Sequence, residues 1–278
     1  MAASSSPGLL PMNWFHELSS TQLAVLVVVA TLTVSIAGLA ATAARVRATS
    51  LHQTLDNGAI SGLLAALIGI YAIAAGLTAV AVWGNTGDAG AKVGREATVI
   101  SVLFHDFAGY PEPQRTEFRE ALIGYTRHII DQEWPLHERG EAPTIPLATV
   151  EAFQRAFFGF EPATEGQKIV HAQSVAVYND LLEARRMRLQ AVQDTALPLE
   201  LWVIVLLLGV IAISACFLLR MESFLMHATI TIIVAAPIAL ILYFIAVTDR
   251  PFQGGVSVSA EPYREVLERI MLPEAARK

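Results

Sequence analysis

Apolar and polar positions fall into blocks along this chain: four long uncharged apolar runs, grouped as two pairs around a polar middle. The runs are Leu23 to Ala44, Ile60 to Trp83, Leu201 to Leu219 and Phe224 to Val247, and none contains Asp, Glu, Lys or Arg. A bilayer hydrocarbon core of about 30 Å needs about 20 helical residues at 1.5 Å each. Each run has that reach, and in lipid a helix satisfies its own backbone hydrogen bonds. The pattern predicts an all-α protein with four membrane spans in two hairpins and a helical domain inserted between spans 2 and 3. The predicted divisions are an interfacial segment over 1–22, a first hairpin over 23–84, the helical domain over 85–196, a second hairpin over 197–248 and a tail over 249–278.

The polar middle carries helical periodicity. Phe118, Leu122, Tyr125 and Ile129 recur at spacings of three and four between Glu117 and Trp134, and Pro135 reads as the end of that helix. Pro143 and Pro146 mark a loop; Val150, Phe153, Phe157 and Phe158 suggest a shorter helix stopped near Gly159. From about Glu165 a further helix presents Val170, Val177 and Leu181 on one face and leads toward the third run, with Pro198 at its entry. The connection from Arg220 to Ser223 is very short, so the last two runs pair tightly. Asp56-Asn57-Gly58 in the first connection reads as a turn.

Composition strengthens the membrane reading. Hydrophobic residues make up 54% of 278 and the mean hydropathy is +0.50, too apolar for an ordinary soluble domain. A net charge of -6 without a basic stripe argues against nucleic acid as a partner. The lone Cys216 lies in the third run and reads as a packing residue. Small residues over Ala40 to Ala44 could pass for a signal-peptide cleavage region. The segment before Leu23 lacks Lys and Arg, however, and the apolar run is longer than such signals use. Trp14 within Pro11 to Phe15 reads instead as an interfacial anchor.

Four spans put both termini and the middle on one side. That side carries Lys92, Arg95, Arg185, Arg186, Arg188 and Arg250, against Arg45, Arg47 and Arg220 opposite. The positive-inside rule assigns termini and middle domain to the cytoplasm, with the plasma membrane as the site of residence.

Few residues offer chemistry. Gly62, Gly69 and Gly76 recur every seven residues near one face of the second run, which suits close helix packing within the chain, an oligomer interface or a pore-facing surface. Arg185, Arg186 and Arg188 precede the third run, and two accounts stay open for them: anchoring on anionic lipid, or a basic vestibule that gathers anions. Asp249 and Arg250 form a juxtamembrane charge pair ahead of a rigid turn. His227 is the histidine of the apolar runs, close enough to a membrane face to be solvated. Pro237 interrupts the fourth run and suggests a kink. Glu133 and His137, separated by Pro135, read with Asp131 and His128 as a solvated acidic face. No Glu-x-x-His pair, cysteine pair, phosphate loop or nucleophile elbow occurs, so neither a metal, nor a cofactor, nor catalysis is expected.

Several fragments together resemble the bestrophin-like bacterial membrane proteins. They are Glu96-Ala97, Tyr125, Glu133-Trp134-Pro135, Arg185-Arg186-Met187-Arg188, Leu197-Pro198, Leu201-Trp202, Asp249-Arg250-Pro251-Phe252-Gln253-Gly254 and Pro262-Tyr263. The resemblance spans about Leu51 to Ile270, and Asp-Arg-Pro-Phe-x-Gly is its most specific part. It implies two membrane hairpins around a helical cytoplasmic domain, and kinship with pentameric anion channels that have a narrow apolar neck. The acidic run of a calcium clasp and the aromatic triplet of the neck have no counterpart here. Two function classes follow: an oligomeric ion channel passing small inorganic ions, or a non-conducting scaffold or sensor whose cytoplasmic helices bind a partner. The lipid bilayer and further copies of the chain are the expected partners.

Overall fold

A computed structural model describes residues 20–47, 56–143, 148–194 and 197–276. The interfacial segment with Trp14, and Pro146, lie outside the described residues, as do the side chains of Arg47 and Val150. Among the described residues there is no strand. Among the described residues the α-helices of six residues or more are α1 Ser20–Arg47, α2 Asn57–Asp106, α3 Gln114–His128, α4 Ala148–Phe158, α5 Glu165–Gln193, α6 Leu199–Cys216, α7 Phe224–Thr248 and α8 Glu261–Val266. Of these, α1, α2, α6 and α7 are long and apolar enough to cross a membrane. The chain divides into two compact units, one holding residues 1–83, 196–249 and 254–256, the other 84–195, 250–253 and 257–278.

In the first unit α1 packs along α7, with a smaller contact to α6. Sequence order suggested α2 as the hairpin partner of α1; the packing surface that α1 uses belongs to α7. Gly209 explains how α6 closes on its neighbours, since a Cβ there would stand 3.3 Å from Ile238 and 3.4 Å from the Tyr71 ring. Gly38 likewise gives up its side-chain volume to the Phe217 ring. The hydroxyls of Ser35, Thr78, Thr231 and Thr248 each donate to the carbonyl four residues back, at 2.7 to 2.9 Å. Apolar surroundings provide no water for them, so the helix itself is the acceptor. α7 runs unbroken through Pro237.

Asp56-Asn57-Gly58 opens α2 rather than forming a free turn. Asp56 Oδ1 accepts from Gly58 N–H at 2.8 Å. Asn57 then spends its amide on one distant residue, accepting from Arg220 N–H at 2.8 Å and donating to Arg220 C=O at 2.9 Å. The start of α2 is thereby tied to the α6–α7 connection.

The polar stretch after Trp83 does not interrupt α2, which stays helical to Asp106. Ala89, Val93, Ala97, Ile100, Leu103 and Phe104 recur at helical spacing and are all buried in the second unit's core. Burial of that stripe outweighs the cost of roughly 1 kcal/mol for each helical glycine in the Gly84–Gly94 stretch. The core continues into an aromatic cluster in which Phe107, Tyr110, Phe118, Phe153 and Phe157 meet at centroid distances of 5.3 to 6.3 Å. Thr164 and Gln167 cap α5 reciprocally: Thr164 Oγ1 accepts from Gln167 N–H, and the Gln167 side chain accepts from Thr164 N–H. α5 ends at Gln193 and α6 starts afresh at Leu199, so the two are not one helix.

Pro135 does not end the α3 path. A π-helical turn over Ile129–Glu133 leads into a further helical turn, Trp134–His137, with Pro135 near its start. A proline at the first positions of a turn gives up an N–H that needs no partner there. The widened turn also shifts the side chains that follow, and this shift builds the site.

Candidate functional site

Five elements converge on Arg188, which α5 carries into the second unit's core without any solvent exposure. Its Nε donates to Glu96 Oε2 at 2.7 Å, and its Nη2 reaches Glu96 Oε1 at 3.3 Å and Glu133 Oε2 at 2.7 Å. Its Nη1 contacts His137 Nε2. Glu96 comes from α2, Glu133 from the π-turn and His137 from the turn that Pro135 starts. Glu96 also accepts from Tyr125 Oη at 2.8 Å and from Tyr263 Oη at 3.0 Å. Arg185 donates to the remaining Glu133 oxygen at 2.8 Å. The guanidinium has donors in a planar fork, and here every edge of it meets an acceptor.

Two arginines and two glutamates make the group charge-balanced, provided His137 is neutral. His137 Nδ1 lies 3.2 Å from Glu141 C=O, which fixes the proton on Nδ1 and leaves Nε2 to accept from Arg188. Burial, followed by the Arg188 charge, draws the His137 pKa down to about 4. Burial pushes the Glu133 carboxyl up, but the Arg188 and Arg185 charges overcome it, so it titrates below the ordinary carboxylate range. Burial and then the Glu96 charge hold the Tyr125 and Tyr263 phenols well above theirs. These shifts keep His137 neutral and the Glu133 carboxylate charged at neutral pH.

An apolar wall encloses it. Trp134 meets Phe252, Tyr263 and His137 at centroid distances of 5.6 to 5.9 Å, and the Tyr263 ring lies 5.9 Å from the Arg188 guanidinium carbon. Phe252 is buried because the tail turns sharply. Gly254 takes φ 81°, Arg250 Nη1 donates to Gln253 Oε1 at 3.1 Å, and Gln253 presses on Gly140, itself at φ 75°. A side chain at Gly140 would overlap the Gln253 amide.

The three arginines therefore separate. Arg188 is buried and paired, so the lipid-anchor and vestibule accounts do not describe it; Arg185 is largely buried against Glu133; Arg186 is exposed. Arg186 and Arg185 line an open cavity of about 310 Å³ with Gln190 and Gln193. Glu133 and His137 are 1% and 0% exposed, which replaces the solvated acidic face expected for them. Asp249 accepts from Leu197 N–H at 2.9 Å and from Trp202 Nε1 at 3.3 Å, so it braces the start of α6. His227 is buried, not solvated, and its Nε2 lies 2.8 Å from Cys216 C=O, joining α7 to the last turn of α6. Gly62 and Gly69 are exposed and Gly76 half-buried, and a Cβ on any of them would meet no atom within 4 Å beyond its own helix backbone. Among the described residues no group of three His, Cys, Asp or Glu converges as a metal site.

The Bestrophin-like domain matches residues 23–263 of this chain. A bacterial bestrophin homolog from Klebsiella pneumoniae superimposes with a TM-score of 0.64 at 13% identity, over 90% of this chain and 99% of that one. A second structure of that homolog gives 0.61 at 13% identity, over 90% and 98%. A further membrane protein gives 0.62 at 11% identity, over 89% and 98%. No curated protein matches in sequence. At such identities the likeness is one of fold.

Proposed function

The chain belongs to the Bestrophin-like domain family, and from that membership we propose that it is one subunit of an oligomeric ion channel with an apolar pore. The observation that carries this reading is the open glycine face of α2. A Cβ on Gly62, Gly69 or Gly76 would meet no atom within 4 Å beyond its own helix backbone, with Gly62 and Gly69 exposed and Gly76 half-buried, whereas Gly209, an internal packing glycine, is closely covered. Small residues that admit close approach and remain uncovered in one chain suit a second copy, or a lumen between copies. A four-helix subunit fills its own centre with side chains, so conduction calls for several copies around an axis. The four apolar runs contain no Asp, Glu, Lys or Arg, which suits a pore gated by dewetting of an apolar constriction. The resemblance to pentameric anion channels makes a small inorganic anion the permeant species we assign.

The second unit and both termini belong on the cytoplasmic face in this reading, with the protein in the plasma membrane. Exposed Arg95, Arg186 and Arg250 and half-buried Lys92 support that side, against Arg45 and Arg220. Arg185 and Arg188 add less, because Glu133 and Glu96 engage them.

Reconstitution tests the proposal. The protein purified in mild detergent should run as an oligomer, and liposomes containing it should pass chloride faster than empty vesicles. An oligomer without flux would leave the scaffold reading in its place; a monomer would end both the pore and its glycine interface.

A further inference from the structure

The neighbouring arginines of α5 are left in unequal states. Glu96 and Glu133 neutralise Arg188 and Arg185, whereas exposed Arg186 makes no ion pair or hydrogen bond among the described residues. Glu183, nearly one turn earlier on α5, is exposed and forms no ion pair with it. Arg186 lines the open cavity of about 310 Å³ in the second unit with Pro143, Arg185, Leu189, Gln190 and Gln193, and no Asp or Glu lines it. Arg186, Gln190 and Gln193 stand at i, i+4 and i+7, so they form one row about 10 Å long on a helix face. The amides of both glutamines are also without a hydrogen bond among the described residues.

Charge and donor chemistry narrow what fits this row. Glu133 already balances Arg185, so the cavity carries the Arg186 charge alone, and a singly charged anion neutralises it. A guanidinium edge matches an oxyanion with two terminal oxygens, which a phosphodiester presents at neutral pH. The glutamine amides both donate and accept, which suits hydroxyl groups better than a second charge. A space of this volume holds such a group with its substituent, whereas a bare ion would leave most of it to water.

We propose that this cavity binds a phosphodiester with a hydroxylated substituent, its phosphate on Arg186 and its hydroxyls on Gln190 and Gln193. Phosphatidylglycerol of the bilayer and a soluble glycerophosphodiester share this chemistry. α5 ends at Gln193 and the apolar α6 begins at Leu199, which puts a lipid headgroup among the sources. The site holds whether or not the protein conducts.

Native mass spectrometry and melting curves of the full chain in mild detergent test it with two probes. Phosphatidylglycerol is compared with phosphatidylcholine, whose phosphate carries its own cation, and glycerophosphoglycerol is compared with glycerol. At least one probe should bind and raise the melting temperature above its control, and which one does so names the source. Arg186→Gln should weaken that binding about tenfold or more, because a charge-assisted pair is lost. Gln190→Leu should weaken it less. Arg95→Gln, at an exposed arginine outside the cavity, should leave it unchanged. Binding of neither probe, binding that survives Arg186→Gln, or binding that Arg95→Gln weakens equally overturns the proposal.

Discussion

Arg188 and Glu96 stand 92 residues apart in sequence and meet through two hydrogen bonds, with each Glu96 oxygen also accepting a phenol proton, from Tyr125 or Tyr263. Removing one partner of a buried pair leaves the other charge stranded, at a cost of about 3–5 kcal/mol. Arg188→Ala and Glu96→Gln should each destabilise the second unit by that amount. Tyr263→Phe, which removes one neutral donor, should cost about 1–2 kcal/mol. Trp134 adjoins the cluster, so its fluorescence during denaturation in detergent reads the effect. An Arg188→Ala protein that melts with the native one would refute the stabilising role of this buried pair.

His137 supplies a pH dependence of defined sign. The free imidazole protonates near 6.5 and the folded one near 4, so between those values the unfolded chain binds the extra proton. Stability is then fully present above pH 6.5 and falls as the pH drops toward 4, by about 3 kcal/mol from this group. Glu133, with its pKa lowered, adds a further loss at lower pH. Melting temperature should decline through this window in the native protein. In His137→Gln the decline should be shallower, and equal slopes would remove His137 as the cause.

Two glycines separate packing from assembly. Gly69→Leu meets open space, so each chain should fold with native stability while the oligomer mass or chloride flux changes. Gly209→Val drives atoms into Ile238 and the Tyr71 ring, and should lose about 1–3 kcal/mol of stability before assembly is reached. Melting curves and light scattering on both variants decide this; matching behaviour of the pair would contradict it.

Asn57→Ala deletes both amide bonds to the Arg220 backbone and should destabilise the first unit by about 1–2 kcal/mol. Hydrogen exchange at the Arg220 N–H should quicken in the variant. Exchange at the native rate would show that the link contributes nothing.

The apolar runs were legible because twenty uncharged residues leave few alternatives to a spanning helix, and the start of α5 near Glu165 was legible from the stripe of Val170, Val177 and Leu181 that follows it. Three features were not. Gly84, Gly87 and Asp88 look like a linker, yet Ala89 onward packs as a stripe that could have been seen by extending the periodicity past Trp83. Pro135 looks like a stop because a one-residue widening of the helix leaves no sequence mark. Arg188, Glu96, Glu133 and His137 look like surface charge, because burying a charge depends on partners 51 to 92 residues away. The fragments that carry the family resemblance gave the usable signal. Glu96, Tyr125, Glu133, Trp134, Arg188, Phe252 and Tyr263 all meet at this cluster.

The arithmetic of that cluster also bears on how the family can drift. Two cations and two anions balance only as a group, so losing any one strands its neighbours in hydrocarbon. Descent should therefore handle them as a linked set: a relative whose Glu96 position turns neutral should have given up the Arg188 cation as well, and intermediates with one change should be rare among living sequences.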